Sequence, residues 1–406
     1  MDMKQYGTLM VAALPLVAQP QAAYARTADE YAAKGNEKVT QGDYRGADEA
    51  FSRAVKEDPS FAKGFNNRGI ARAAMDDLQG ALKDFDEAVR LKPDYAEAWY
   101  NRGSIKMKLG DTDGALADYT RAIALHPNHG DALLSRAAAY TKQGNQSAAR
   151  ADVEKAAQVY FATGFARAKA GDRRGAIADY TRVVELMPKK ADALNNRGNL
   201  YMETGDTKKA IEDYSRAVEA DPKYVLAYRN RASARLASGD RNGAFADYGE
   251  ALRLEPKNAD IWFGRALAKA GADDHKGAVA DYGKAIGLDS KHALAFMNRG
   301  NAKLKMGDRK GAAEDYTRSL ELDPKNADAW FNRGFLKSAG NDAGGAIGDF
   351  DRAIAYNPQY AKAYYLRGVS RSTLGDEEGA LADITRAADL GLPVAKTLLE
   401  KKRSGK

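Results

Sequence analysis

Cysteine is absent from the 406 residues of the chain. The chain therefore has no disulfide, no thiolate metal site and no cysteine nucleophile. Histidine is almost as scarce, and its four copies lie in segments expected to be turns: His126, His129, His275 and His292. The sequence also lacks the HExxH and GxSxG motifs and a phosphate-binding glycine loop. These absences predict a protein that is not an enzyme, with no catalytic residue, no metal site and no cofactor.

A strong excess of one charge is also missing. The 63 lysines and arginines only slightly outnumber the 56 aspartates and glutamates, which leaves a net charge of +7. Both signs are spread along the chain rather than gathered in one basic patch. This distribution argues against nucleic acid as a partner.

Long apolar segments are missing apart from one run over residues 8–18. This run is too short to cross a membrane and contains Pro15, but it follows Lys4 and precedes a pair of small residues. Together these features predict a bacterial signal peptide over residues 1–25, cleaved after Ala25, and a periplasmic or secreted protein. The mature chain should have no membrane span. The alternative is a short hydrophobic N-terminal helix on a cytoplasmic protein.

What fills the sequence is a repeated unit, whose clearest copy runs over 34 residues from Ala191 to Tyr224. With Ala191 as position 1, the residues at positions 4, 8 and 11 share one helical face, and those at 20, 24 and 27 share another. Gly205 can end the first helix, Asp206 can cap the second, and Pro222 stops it. Each unit is therefore predicted to be a hairpin of two helices, called A and B below.

These landmarks resemble the tetratricopeptide repeat, whose pattern has small residues at positions 8, 20 and 27, an aromatic residue at 24 and proline at 32. About eleven copies cover roughly residues 28–392, and a polar capping helix with a basic tail follows at 393–406. The resemblance implies an all-α solenoid, a right-handed superhelix of about eleven repeats with helices A along a concave groove. It also implies that the partner is a protein or peptide.

One spacing is irregular, because the fourth and fifth repeats start only 27 residues apart. Residues 147–163 contain neither proline nor glycine and favour a helix. We expect a continuous helix near 147–170 that joins repeats 1–4 (residues 26–156) to repeats 5–11 (residues 157–392) and divides the solenoid into two lobes. The alternative is a tight turn within one unbroken superhelix.

Two columns of charged residues recur down the repeats. Position 7 is arginine in nine repeats, and position 23 is aspartate in ten. The two positions lie on the antiparallel helices of one hairpin, so we expect nine arginine–aspartate pairs, such as Arg231 with Asp247. The alternative is a row of arginines that binds an anion.

Position 6 is asparagine in six repeats: Asn67, Asn101, Asn196, Asn230, Asn298 and Asn332. In tetratricopeptide repeats this position lines the groove, where an amide can both donate to and accept from a peptide backbone. The row is similar to one in the repeat domain of O-linked N-acetylglucosamine transferases, which holds extended peptides. It predicts peptide binding; the alternative is hydrogen bonding within helix A or to solvent. The carboxylate clamp of chaperone-tail receptors is not expected, because Ala32, Glu97 and Asn101 stand where its cations belong.

Position 5 should face the same groove, and in the last four repeats it is large and apolar: Phe263, Met297, Phe331 and Tyr365. Position 9 adds three further apolar residues: Leu267, Phe335 and Val369. An exposed apolar strip of this kind marks an interaction site. The alternative is that neighbouring repeats bury it. Acidic residues at position 2 would rim the groove and suit a partner segment with basic and apolar residues.

These patterns together predict a non-enzymatic scaffold or adaptor that binds extended peptides or partner segments in the groove. One alternative is a structural assembly subunit of a cell-envelope or secretion complex. A second is a cytoplasmic adaptor, which requires that residues 1–25 are not a signal peptide.

Overall fold

The computed structural model describes residues 20–403 and the side chains of residues 27–401. These residues form 22 α-helices, and none of the residues described is in a strand. The expected all-α solenoid of about eleven helix pairs is therefore confirmed. Within the described range, no helix is long and apolar enough to cross a membrane. The side chains of the proposed signal peptide, residues 1–25, lie outside the description, and export stays a prediction.

The chain divides into two compact units. Unit 1 ends at Pro188 and contains nine helices: α1 (Pro20–Thr40), α2 (Tyr44–Glu57), α3 (Ala62–Ala74), α4 (Leu78–Leu91), α5 (Ala96–Leu109), α6 (Thr112–Leu125), α7 (Gly130–Lys142), α8 (Gln146–Lys169) and α9 (Arg173–Leu186).

Unit 2 begins at Lys189 and contains the other thirteen described helices: α10 (Ala191–Glu203), α11 (Thr207–Ala220), α12 (Val225–Ala237), α13 (Arg241–Leu254), α14 (Ala259–Gly271), α15 (His275–Leu288), α16 (Ala293–Lys305), α17 (Arg309–Leu322), α18 (Ala327–Ala339), α19 (Ala343–Tyr356), α20 (Ala361–Thr373), α21 (Glu377–Asp389) and α22 (Pro393–Arg403). The last of these packs on α21, as a terminal capping helix should.

The long helix α8 confirms the continuous helix expected at the irregular spacing. Ala156 and Ala157 are buried in its middle, where other repeats have an interhelical turn. Its first half packs as helix B on α7, and its second half packs as helix A on α9. The fourth and fifth repeats thus share one helix. The boundary between the two compact units falls one helix later, after Pro188. The domain limits drawn from repeat spacing, 26–156 and 157–392, stay predictions.

The hairpin of the repeat from Ala191 to Tyr224 shows how the local sequence determines these helices and turns. Gly205 follows α10 with a φ of 84°, in the left-handed region where an added Cβ is disfavoured. Asp206 then caps α11 by accepting a hydrogen bond from the backbone N–H of Lys209 at 3.2 Å. The turn and the cap expected from the sequence are both present.

The two helices of a hairpin cross closely because small residues face one aromatic ring. Tyr214 is 1% exposed and lies between Ala210 and Ala217, which are fully buried. A Cβ added to Gly198 would lie only 2.7 Å from Cε1 of this ring. Consecutive A helices also touch within each unit, for example α10 with α12 and α12 with α14. The A helices therefore present neighbouring surfaces, on which the candidate site is built.

Candidate interaction surface

All nine expected arginine–aspartate pairs form, and each is bidentate. In the seventh repeat, Nε of Arg231 donates to Oδ2 of Asp247 at 2.9 Å, and Nη2 donates to Oδ1 at 2.6 Å. The other eight pairs are Arg68 with Asp84, Arg102 with Asp118, Arg136 with Asp152, Arg197 with Asp213, Arg265 with Asp281, Arg299 with Asp315, Arg333 with Asp349 and Arg367 with Asp383. These guanidinium groups tie helix A to helix B.

Aromatic rings of the same hairpins flank the paired arginines. The guanidinium carbon of Arg102 lies 4.5 Å from the ring centre of Trp99, and Arg265 lies 4.8 Å from that of Trp262. The hydrogen bonds to Asp152 raise the pKa of the Arg136 guanidinium, and burial opposes this shift only in part. The paired arginines are thus held in place as charged groups.

A second cation column, at position 11, was missed by the sequence reasoning. In the seventh repeat Arg235 donates to the same Asp247 at 2.8 Å, and Lys269 and Lys303 occupy the equivalent place in later repeats. The full set is Arg72 with Asp84, Lys106 with Asp118, Arg167 with Asp179, Arg235 with Asp247, Lys269 with Asp281, Lys303 with Asp315, Lys337 with Asp349 and Arg371 with Asp383. The signal was the recurrence of lysine and arginine at position 11. The repeat from Ala191 to Tyr224, on which the pattern was defined, does not show this recurrence because its position 11 is Tyr201.

The fifth repeat has only the second cation. Thr163 stands at its position 7, so Asp179 is held by Arg167 alone, whose Nη1 donates to both carboxylate oxygens at 2.8 Å. Burial raises the pKa of Asp179, and the nearby Arg167 only partly offsets that shift. A carboxyl group whose pKa is raised in the folded chain destabilises that chain where it is ionised. This cost disappears as the pH falls through the raised pKa.

Replacing Thr163 by arginine should therefore stabilise the chain at neutral pH, by roughly 1 kcal/mol for one charge-assisted hydrogen-bonded pair. The backbone is already suitable, because a Cβ at Gly164 would lie 3.2 Å from Cβ of Asp179, the same distance as at Gly103 in an arginine-containing repeat. Urea unfolding at pH 7 measures the gain, and Thr163→Met is the control for added length without charge. Equal stability of the two variants would contradict the interpretation.

The predicted position-6 asparagines are all half-buried, and most of them bridge repeats. Nδ2 of Asn230 donates to Oδ1 of Asn195 at 2.9 Å and to Oδ1 of Asn199 at 3.0 Å, both in the preceding repeat. Three more follow this pattern: Asn67 to Asn36, Asn101 to Asn66, and Asn332 to Asn301. Sequence reasoning did not identify these bridges, although asparagine recurs at positions 5 and 9 as well.

The other two asparagines each have a hydrogen bond within their own helix. Nδ2 of Asn298 donates to the carbonyl of Leu294 at 3.0 Å, and Oδ1 of Asn196 accepts from Asn195 at 3.4 Å. In the bridging set, Oδ1 of Asn101, Asn230 and Asn332 accepts no hydrogen bond from any described residue. The bridges therefore fix the orientation of these amides and leave one acceptor on each for another molecule.

The predicted apolar residues at position 5 pack within their hairpins and are half-buried. The ring of Phe263 lies 4.6 Å from His292, and that of Phe331 is stacked 4.8 Å from Tyr360. Met297 packs beside Tyr316. Tyr365 packs beside the buried alanines of the last repeat. Position 5 thus forms the base of the apolar strip.

Position 9 supplies the exposed part of the strip in unit 2. Leu267 is 44% exposed, Phe335 is 42% exposed and Val369 is 37% exposed.

The acidic residues expected at the rim of the groove differ in their hydrogen bonding. Tyr360 donates to Asp328 at 2.8 Å, whereas the exposed Asp260 accepts no side-chain hydrogen bond from the described residues.

Three family models, each described as Tetratricopeptide repeat, match the chain. One matches residues 96–129, 191–224 and 293–326. A second matches 32–96, 66–105, 229–293 and 337–391, and a third matches 315–347. Together these matches cover most of the repeated region, and the chain belongs to the tetratricopeptide repeat family. Members of this family are generally non-catalytic protein-interaction scaffolds.

Solved structures are similar to the chain at low sequence identity. YrrB, described as a TPR protein with an unusual peptide-binding site, is 22% identical over 45% of this chain and 95% of its own, with a TM-score of 0.39. PilF of Pseudomonas aeruginosa is 19% identical over 52% of this chain and 97% of its own, with a TM-score of 0.47. A chain of the APC/C hetero-tetramer Cut9-Hcn1 is 14% identical over 94% of this chain and 98% of its own, with a TM-score of 0.44. No curated protein shows significant sequence similarity to the chain.

Proposed function

We propose that the chain is a scaffold or adaptor that binds an extended segment of a partner protein on the A face of unit 2. This face consists of positions 2, 5, 6 and 9 of α10, α12, α14, α16, α18 and α20. The observation that carries the proposal is the row of oriented amides beside exposed apolar side chains. Asn230 and Asn332 each keep one amide oxygen available, and Leu267 and Phe335 are exposed on the same set of helices.

The two kinds of group have separate roles in this proposal. The amide oxygens accept hydrogen bonds from backbone N–H groups, which every residue but proline offers, so they hold a segment without reading its side chains. The position-9 side chains provide apolar contacts at intervals along the face, and these contacts select the segment. Because repeat bridges fix the amides in advance, binding requires little further ordering of the surface.

A photoreactive benzoylphenylalanine in place of Phe335 tests this proposal in envelope extracts. We expect it to cross-link to a defined partner segment, and a synthetic copy of that segment should compete for the cross-link. The matched control is the same substitution at Tyr356, which is 41% exposed on helix α19. Equal capture from Tyr356, or capture only from α22, would instead support an assembly subunit that uses its edges or its end.

Export is a separate part of the proposal, and it rests on the apolar run at 8–18 and the small residues before Arg26. N-terminal sequencing of the protein from cells should give a chain that starts at Arg26. A chain that starts at Met1 would place the same adaptor in the cytoplasm.

A further inference from the structure

A cavity of about 610 Å³ opens between α12 and α14 on the A face of unit 2. Phe263 and Leu267 line its apolar side, and Arg229 and Arg241 line its polar side. The volume lies in the range of pockets that hold small ligands or large side chains. Its position within the A face makes it a candidate for a specific subsite.

Two other repeat junctions of unit 2 have a hydrogen-bonded bridge at the place that corresponds to this cavity. Between the sixth and seventh repeats, Tyr214 donates to Oδ1 of Asn199 at 2.7 Å, and Asn230 donates to the same oxygen at 3.0 Å. Between the ninth and tenth repeats, the same bridge joins Tyr316, Asn301 and Asn332, at 2.8 and 3.0 Å. Each bridge joins two adjacent A helices through a pair of asparagines.

At the cavity both asparagines of the bridge are replaced by smaller residues. Ser233 stands at position 9 of the seventh repeat, and Gly264 stands at position 6 of the eighth. The hydroxyl groups of Tyr248 and Ser233 lie 3.3 Å apart, and neither is hydrogen-bonded to a described side chain of α14. A Cβ added to Gly264 would lie 3.1 Å from the Tyr248 hydroxyl. The missing amide groups leave an open pocket in place of a repeat-to-repeat bridge.

The cations of this pocket are not used by the fold. Arg229 is half-buried, and its guanidinium forms no ion pair or hydrogen bond with the described residues; the same holds for the exposed Arg241. By contrast, each position-7 arginine binds an aspartate of its own hairpin. Asp260 is the one acidic residue that lines the pocket, so two cations face a single carboxylate. The pocket therefore favours a negatively charged partner group.

We propose that this pocket binds one large apolar side chain of an extended partner segment, while Arg229 and Arg241 bind acidic side chains beside it. The inference rests on the proposed function and names the segment that unit 2 selects. The apolar side chain lies against Phe263 and Leu267 in the space left by Gly264. This partner is acidic and apolar, whereas the position-2 acids alone would favour a basic one.

Calorimetric titration of the full chain with a designed peptide tests the inference. The probe is an acetylated and amidated decapeptide of serine and glycine that carries one phenylalanine between two glutamates. It should bind at least about tenfold more tightly than matched peptides with lysine for glutamate or alanine for phenylalanine. Absence of measurable binding, or equal affinity for the glutamate and lysine peptides, would overturn the inference.

Two sets of variants separate the pocket from the rest of the surface. The combined change Ser233→Asn and Gly264→Asn rebuilds the bridge of the neighbouring junctions once the Tyr248 ring, 3.1 Å from a Cβ at position 264, moves aside by a few tenths of an ångström. The variant should still unfold in one cooperative transition and should not bind the peptide. Arg229→Gln with Arg241→Gln should remove the preference for glutamate over lysine, and Arg352→Gln, at an exposed arginine on α19, is the control. Unchanged preference in the glutamine variants would refute the role of the two arginines.

Failure of this inference can be distinguished from failure of the proposed function. If the peptides do not bind but a competable segment still cross-links from Phe335, the pocket is not the selective subsite and the A face remains the binding surface. If the peptides do not bind and no competable segment cross-links from Phe335, both proposals are wrong.

Discussion

Replacing Asp247 by alanine should lower the free energy of unfolding by about 3–5 kcal/mol, the cost typical of breaking a buried ion pair from one side. The carboxylate is 2% exposed and holds both Arg231 and Arg235. Its removal leaves two half-buried guanidinium groups without the carboxylate that they share. The polar contacts that remain are those of Arg231 to Ser215 and of Arg235 to the carbonyl of Gly243 and, at 3.6 Å, to Asp240. The same carboxylate occurs in ten repeats, so the result applies to the ladder as a whole.

A double-mutant cycle separates this pairing from simple loss of packing. The combined change Asp247→Ala and Arg231→Ala should cost about 1–3 kcal/mol less than the sum of the single changes. Urea unfolding of the four chains measures this coupling. The control cycle uses Arg253 and Glu250, an exposed pair at 2.8 Å whose coupling should be below about 1 kcal/mol. Strict additivity at Arg231 and Asp247 would show that the ladder does not join the helices.

Replacing Ala157 by proline should lower the free energy of unfolding by at least about 3 kcal/mol. Ala157 lies in the middle of α8 and is 2% exposed. Proline there removes one backbone hydrogen bond and clashes with the preceding turn. Because α8 serves both the fourth and the fifth repeat, the damage extends to α7 and α9. Circular dichroism during urea unfolding measures both the helix content and the stability.

Glycine at Ala157 is the matched control for this prediction. It keeps the backbone N–H group and should cost only about 1 kcal/mol through helix propensity, plus the loss of one methyl contact. If proline were tolerated as well as glycine, residues near 157 would form a turn between two helices. The continuous helix would then be wrong.

The repeat pattern predicted the features that lie within one hairpin. Gly205, Asp206 and the close contact between Gly198 and Tyr214 follow from local backbone and packing rules that apply equally in every copy. The pairing of Arg231 with Asp247 followed in the same way, because both positions belong to one hairpin. Helix α8 was predicted because residues 147–163, where the repeat pattern places a turn, contain neither proline nor glycine.

Contacts between repeats were harder to predict. The hydrogen bond from Asn230 to Asn199 depends on the rotation and spacing of successive A helices, which the sequence of one repeat does not fix. The effect of a residue that breaks the repeat pattern, such as Gly264, could not be predicted until the asparagine bridge that it interrupts was known.

The backbone-holding role of the A face leads to a direct test on the segment captured through Phe335. Alternate residues of an extended segment point to opposite sides, so only every second backbone N–H group can face Asn230 and Asn332. Calorimetric titration would compare the unmodified peptide with one N-methylated at its odd residues and one N-methylated at its even residues. We predict that one methylated peptide binds at least about tenfold more weakly, the loss expected for about one or two hydrogen bonds, while the other binds like the unmodified peptide. Equal affinity of all three peptides would contradict an amide row that holds the partner backbone.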